Sequence, residues 1–169
     1  MASDMAEARQ AVLALGGNLG DRAATMQSAI EALRQHPKIS AVRPSPFVES
    51  VALTEAGLDD SLPAYLNGVV LIETTLKPKR LLEVVREIES AHGRVRLERW
   101  SSRTLDIDII AYQGELRSDK KLTIPHPRAA ERAFVLVPWL MVDPKAVLPG
   151  YGPVAALAAD MQDQVRPVA

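Results

Sequence analysis

The chain has 169 residues, 47% hydrophobic and 24% charged, a size and balance that fit one domain with a real apolar core. Its 20 basic and 21 acidic side chains leave a net charge of -1, so no global field favours nucleic acid or an anionic membrane. There is no cysteine, which excludes disulfides, thiolate zinc sites and a catalytic thiol.

Met1 to Gln10 carries Asp4 and Glu7 and lacks the apolar run of a leader peptide, so residues 1–10 are read as peripheral or poorly ordered. The longest apolar stretch, Phe134 to Val142, is interrupted by Pro138 and is too short to span a bilayer. A soluble cytoplasmic protein is expected. Ala11 to Leu15 reads as a short buried strand ended by Gly16-Gly17-Asn18. Asp21 starts a helix that runs to about His36, with Met26, Ile30 and Leu33 on one face. Ile39 to Ser50 reads as a strand, edge-like or bulged at Pro44 and Pro46, and Thr54 to Pro63 as a polar loop.

Tyr65 to Thr75 follows as a clear strand. Pro78 and Gly93 suit the first turn and the end of a helix whose apolar stripe is Leu81, Leu82, Val85 and Ile88. Arg94 to Arg103 is a basic loop leading into a strand over Thr104 to Tyr112. Gln113 to Asp119 reads as a turn and Lys121 to Ile124 as a short strand, and the remainder as short helical segments broken at Pro149 to Pro153. Strands and helices mix irregularly, without a repeat or a linker, which favours a single α+β domain over an alternating parallel fold.

The strand Thr104-Leu105-Asp106-Ile107-Asp108-Ile109 carries the first chemical signal. Side chains alternate with period two, so Leu105, Ile107 and Ile109 share one face and both carboxylates the other, their Cα atoms roughly 6.5 Å apart. Such a pair suits magnesium, which takes one or two carboxylates and completes its shell with water and substrate phosphates. Alone, the pattern also describes a solvated strand face. Its neighbourhood decides between the two. Gly93 to Arg103 holds Arg94, Arg96, Arg99 and Arg103 with one acid, Glu98. Guanidinium groups are planar, permanently charged donors for phosphate oxygens, and a loop of Gly and Arg can close over bound substrate. Lys121, Thr123, His126 and Arg132 add donors downstream.

Four blocks then carry a family resemblance: Leu15-Gly16-Gly17-Asn18-Leu19-Gly20; Tyr65-Leu66-Asn67; Gly93-Arg94-Val95-Arg96 with Arg99-Trp100 and Arg103 to Ile109; and Leu122 to Pro127 with Arg132 to Leu136 and Pro138. In these the chain resembles the 6-hydroxymethyl-7,8-dihydropterin pyrophosphokinases of the folate pathway, from about Val12 to Pro144. The resemblance implies transfer of pyrophosphate from ATP to the pterin hydroxymethyl oxygen, with release of AMP and two Mg2+ ions held by Asp106 and Asp108. It implies a monomer built as an antiparallel sheet flanked by helices in a ferredoxin-like arrangement.

Carried over position by position, Arg94 and Arg103 match arginines of a catalytic loop that contact the triphosphate, and Arg86, Ile109, Lys121, Thr123, His126 and Arg132 match nucleotide positions. Ser50, Leu53, Tyr65, Asn67, Glu89, Trp100 and Phe134 match pterin positions. Asp108 is also placed to accept the hydroxyl proton, a role that sequence leaves open beside metal binding. The residue chemistry agrees. A flat heteroaromatic ring suits Trp100 and Phe134, while Asn67 and Glu89 can read an amide-like edge. Glu89 lies on the apolar side of its helix, where a carboxylate needs a donor and the pterin amino group would serve, although periodicity alone fits a stripe-edge carboxylate reaching solvent equally well. The chain departs from the family pattern at Gly17, Ser101-Ser102, Arg86 and Ser50 to Leu53.

Three other readings fit less well. An RNA-binding module displays several aromatics on a sheet face, whereas aromatic residues total 4% here. The LGGNLG turn lacks the G-x-G-x-x-G spacing of a dinucleotide fold, and no Walker-type loop occurs. A non-catalytic homologue would lose metal or loop residues that this chain retains.

Overall fold

The structure is a computed structural model that describes residues 7–18, 20–50, 53–54, 57–58, 64–93 and 105–168. The elements follow in chain order as β1 (Arg9–Gly17), α1 (Arg22–Gln35), β2 (Ile39–Pro44), β3 (Val48–Ser50), β4 (Leu53–Thr54) and β5 (Gly57–Leu58). Then come β6 (Tyr65–Thr74), α2 (Pro78–Ala91), β7 (Asp106–Tyr112), β8 (Arg117–Ser118), β9 (Thr123–Ile124) and α3 (Ala133–Val142). The chain closes with β10 (Val147–Leu148), β11 (Gly152–Pro153), α4 (Val154–Ala158) and β12 (Arg166–Pro167). The principal sheet has the order β12-β3-β6-β1-β7, with β2 also paired to β6, and its pairings are antiparallel.

Alternation on the central strand divides the core into two layers. Ala11, Leu13 and Leu15 of β1 are buried against Met26, Ala29, Ile30 and Leu33 of α1 and Leu81, Val84, Val85 and Ile88 of α2. On the opposite face Val12 and Ala14 meet Val135, Leu136 and Trp139 of α3 and Val154 and Ala158 of α4. This is the α+β, ferredoxin-like arrangement expected from the sequence. Leu13 is fully buried, so Leu13→Ala is expected to cost about 2–5 kcal/mol of stability, read from the urea midpoint.

Local chemistry sets the helix ends. Asp21 caps α1 by accepting from the Ala24 N–H at 3.1 Å, Pro78 opens α2, and Gly93 follows α2 with φ +77°, a left-handed conformation that suits glycine. Several boundaries differ from the sequence reading. β1 begins at Arg9 and runs through Gly17, because Arg9 and Gln10 pair with Thr74 and Glu73, and Gly16 and Gly17 pair with Asn67 and Leu66. Gly17 is therefore a strand residue and not a turn. The strand read over Ile39 to Ser50 is two strands laid along the same β6. Ser45 makes the break, donating its N–H to the Val69 carbonyl at 2.7 Å and accepting the Val69 N–H at 2.9 Å.

The loop read from Thr54 contains the backbone of a small β4–β5 hairpin, and the turn read over Gln113 to Asp119 contains β8, which pairs with β9. The C-terminal part holds β10, β11 and β12 besides its helices, and β12 extends the sheet by pairing Arg166 with Glu49 and Pro167 with Val48.

Candidate active site

One end of the sheet gathers chemistry on the α3 face. Residues directly opposite each other in antiparallel strands point to the same side. Gly16 of β1 lies opposite Asn67 of β6 on one flank and Asp106 of β7 on the other. One step along, Ala14 lies between Val69 and Asp108. Asn67 and Asp106 thus face each other across a residue with no side chain, their Cα atoms roughly 10 Å apart. The floor between them is bare.

The β7 strand presents its carboxylates as the alternation predicts. Leu105, Ile107 and Ile109 are buried in the α1/α2 layer, while Asp106 and Asp108 are half-exposed on the other side. Ile110 is an extra residue in the ladder, since Leu13 pairs with Ile109 and Val12 with Ala111. It turns into the α3 layer and leaves the two aspartates at the open end.

Beyond Asn67 stands a polar wall. Asn67 is 4% exposed, and its Nδ2 donates to Ser50 Oγ at 2.8 Å and to the Tyr65 carbonyl at 3.3 Å. These bonds fix the amide orientation, which leaves Oδ1 on the Gly16 side: a β-carbon added at Gly16 would meet it at 3.1 Å. Tyr65 and Ser50 are opposite one another on β6 and β3, both half-buried. Phe134, in the first turn of α3, is half-buried, with the Arg132 guanidinium 5.5 Å from its ring centroid.

On the other side of Asp108 a cleft is lined by Arg86, Ile109, Lys121, Thr123 and His126, together with Leu82 and Lys120. All of the described residues that the resemblance matches to nucleotide positions, except Arg132, meet there. Arg132 approaches from α3, its NH1 3.9 Å from Asp108 Oδ2, at the same distance as His126 Nε2. The Arg128 backbone N–H donates to His126 Nδ1 at 3.2 Å, which assigns the neutral ring's proton to Nε2, the nitrogen nearest Asp108.

Burial is the main cause that lowers the His126 pKa from its ordinary 6.5; Asp108 opposes it, and Arg132 and Arg128 reinforce it. Burial likewise lowers the Arg132 pKa, with Asp108 opposing, although a guanidinium remains charged. A lowered folded pKa means that the stability contributed by neutral His126 is complete above about pH 6.5 and is lost as pH falls through the lower folded value. The urea midpoint of the ligand-free protein is expected to drop on acidification from about pH 7 to 5, and His126→Gln to flatten that drop. Parallel profiles for the two proteins would refute the assignment.

The residues fit divalent magnesium. Among the described residues no group of three or more His, Cys, Asp or Glu converges on one point, so the aspartate pair would hold an ion only with water and substrate phosphate completing its shell. That is magnesium's habit. Glu89, read above as a carboxylate awaiting the pterin amino group, finds donors within the fold. It is 1% exposed at the outer edge of β7, where Oε2 accepts the Ile107 N–H at 2.7 Å and Oε1 accepts from Arg86 at 2.9 Å. Both of these donors are internal, and two strand spacings of about 4.8 Å separate β7 from the β6 strand of Asn67.

Arg94, Trp100 and Arg103 lie outside the described residues, as does the Leu53 side chain. Residue-by-residue reading missed Ala14 and Gly16 as the floor. The signal was the run Val12, Ala14, Gly16, whose side chains shrink along one strand face toward the strand's glycine end.

Comparison with known proteins agrees with this geometry. Residues 12–144 match the model of the 7,8-dihydro-6-hydroxymethylpterin-pyrophosphokinase family. A 2-amino-4-hydroxy-6-hydroxymethyldihydropteridine pyrophosphokinase of Methylorubrum extorquens is 43% identical over 141 residues, 83% of this chain and 87% of that one. The protein of the same name from Haemophilus influenzae is 39% identical over 153 residues, covering 90% and 93% of the two chains. Among solved structures, wild-type Plasmodium falciparum HPPK-DHPS with pterin and p-hydroxybenzoate superposes with a TM-score of 0.67 at 15% identity. The match covers 91% of this chain and 43% of that longer one, so it speaks for the fold. No described helix is long and apolar enough to cross a membrane. With a family model matched over most of its length and relatives near 40% identity, the chain belongs to the 7,8-dihydro-6-hydroxymethylpterin-pyrophosphokinase family of diphosphotransferases.

Proposed function

We propose that this chain transfers the β,γ-pyrophosphoryl unit of ATP to the hydroxymethyl oxygen of 6-hydroxymethyl-7,8-dihydropterin, releasing AMP. The observation that carries the reading is the row Asn67–Gly16–Asp106, which sets an amide reader and a metal-type carboxylate on either side of a bare floor. The pterin lies on Gly16 and Ala14 with its amide edge toward Asn67, and Tyr65, Ser50, Leu53, Trp100 and Phe134 enclose it. ATP enters from the far side of Asp108, its adenosine against Ile109, Lys121 and Thr123, its phosphates toward His126 and Arg132, with Arg86, Arg94 and Arg103 as further cationic partners.

When bound, magnesium, two ions on this reading, neutralises phosphate charge and supplies a template for in-line attack. Asp106 and Asp108 hold and orient, and Asp108 takes the hydroxyl proton. The Nε2–H of His126 and the Arg132 guanidinium direct donors at the phosphates from the α3 side. On the same reading, residues 1–169 act as one cytoplasmic, monomeric domain without nucleic-acid or membrane partners.

The test is AMP release by the full chain with ATP, magnesium and 6-hydroxymethyl-7,8-dihydropterin. AMP that appears only with all three supports the reading; none above the pterin-free control ends it.

A further inference from the structure

Glu89 is the only buried charged side chain among the described residues. A buried carboxylate is costly unless it is paired and hydrogen-bonded, so its partners show what the fold needs from it. One partner is the Ile107 N–H, at 2.7 Å. Ile107 stands between Asp106 and Asp108 on β7, the last strand of the sheet order, and among the described residues only β1 pairs with this part of it. A second partner is Arg86, whose half-exposed guanidinium lies 2.9 Å from Oε1 and lines the same cleft as Asp108, Lys121 and His126.

We propose that Glu89 is the positioning residue of the metal-type aspartate pair. Its carboxylate holds the peptide between the two aspartates, and through Arg86 it ties that peptide to the nucleotide cleft. The inference rests on the reading of Asp106 and Asp108 as metal ligands and assigns Glu89 no contact with the pterin.

Two physical points favour this role. The peptide N–H of Ile107 fixes the strand plane from which both carboxylates project, so freeing it loosens their mutual direction without removing either. A charged acceptor also makes that bond shorter and stronger than a neutral one. Glutamine keeps the shape but cannot serve both partners equally: its oxygen can accept from Ile107 only by turning its NH2 toward the Arg86 guanidinium, donor against donor.

The test uses the full chain as wild type, Glu89→Gln and Glu89→Ala. Mn2+ is titrated by electron paramagnetic resonance in the presence of a non-hydrolysable ATP analogue. Pterin affinity without nucleotide is measured by calorimetry, and Ile107 amide exchange by NMR. In Glu89→Ala the half-saturating Mn2+ concentration is expected to rise about tenfold or more, the scale of a lost supporting partner at a metal site. The Ile107 amide should exchange faster, while pterin affinity stays within about twofold of wild type, too small a change for a lost hydrogen bond to a charged group. Glu89→Gln should fall between the two.

Wild-type Mn2+ affinity in both variants overturns the proposal, and so does weakened pterin binding with Mn2+ affinity unchanged. Should the alanine variant not fold, the glutamine variant decides by the same two readouts. A wild-type chain without pterin-dependent AMP release would end the functional reading but leave the Mn2+ comparison to judge Glu89 separately.

Discussion

Asp106→Ala and Asp108→Ala are each expected to lower pterin-dependent AMP release by about a thousandfold or more, the scale on which phosphoryl transfer responds to loss of a key charge-stabilising group. The two variants should differ in a second way. Asp108 Oδ2 is the anion that faces both His126 Nε2 and Arg132 NH1, each at 3.9 Å. Removing it leaves an imidazole and a guanidinium without that compensation, and since Asp108 opposes the lowering of the His126 pKa, the pKa should fall further in Asp108→Ala.

Asp106, opposite Gly16, is not among the charges that shift the His126 pKa. NMR titration of His126 therefore separates the variants: a clear downward shift in Asp108→Ala, little change in Asp106→Ala. Both proteins should retain the fold, because the carboxylates are half-exposed while the packing of β7 rests on Leu105, Ile107 and Ile109. Activity surviving both substitutions would remove the metal role.

Gly16→Val is expected to raise the KM for the pterin by about a hundredfold or more, near the cost of losing a buried hydrogen-bonded contact to substrate, with a smaller effect on the KM for ATP. A β-carbon at Gly16 already sits 3.1 Å from Asn67 Oδ1, which the amide cannot relieve freely because its Nδ2 is tied to Ser50 and Tyr65. Valine adds two further methyl groups onto the floor between Asn67 and Asp106. The strand itself tolerates the change, since β-branched residues suit a pleated backbone. Circular dichroism should accordingly report an intact fold. A pterin KM within a few-fold of wild type would show that the ring does not lie on this floor.

The sheet and its two helical layers were legible where periodicity is unambiguous. The apolar run of β1, the apolar stripe of α2 and the run from Leu105 to Ile109 each mark a buried element, and the structure buries them. What escaped were elements too short to have a period. Arg166–Pro167 and Arg117–Ser118 become strands only because a partner strand lies alongside. Gly16 and Gly17 carried a turn signal that pairing with β6 overrode.

At the site, the sequence exposed the residue types but not their neighbours. Asp106, Asp108 and the donors of the cleft were readable from charge and spacing. Glu89 was readable as a carboxylate in need of a donor, yet that the donor is the Ile107 N–H depends on α2 lying along the outer side of β7, which no local pattern specifies.

The two flanks of the sheet also bear on how the molecule behaves at high concentration. A strand with open amides is a template on which another copy can add. At one flank the terminal strand β12 ends in Pro167, which has no N–H to offer an incoming chain. At the other, the Ile107 amide is already occupied by a carboxylate from within. The same contact that orients the aspartates therefore helps to keep copies of the protein apart. Loss of Glu89 should be visible first as concentration-dependent self-association in light scattering, even where the fold survives.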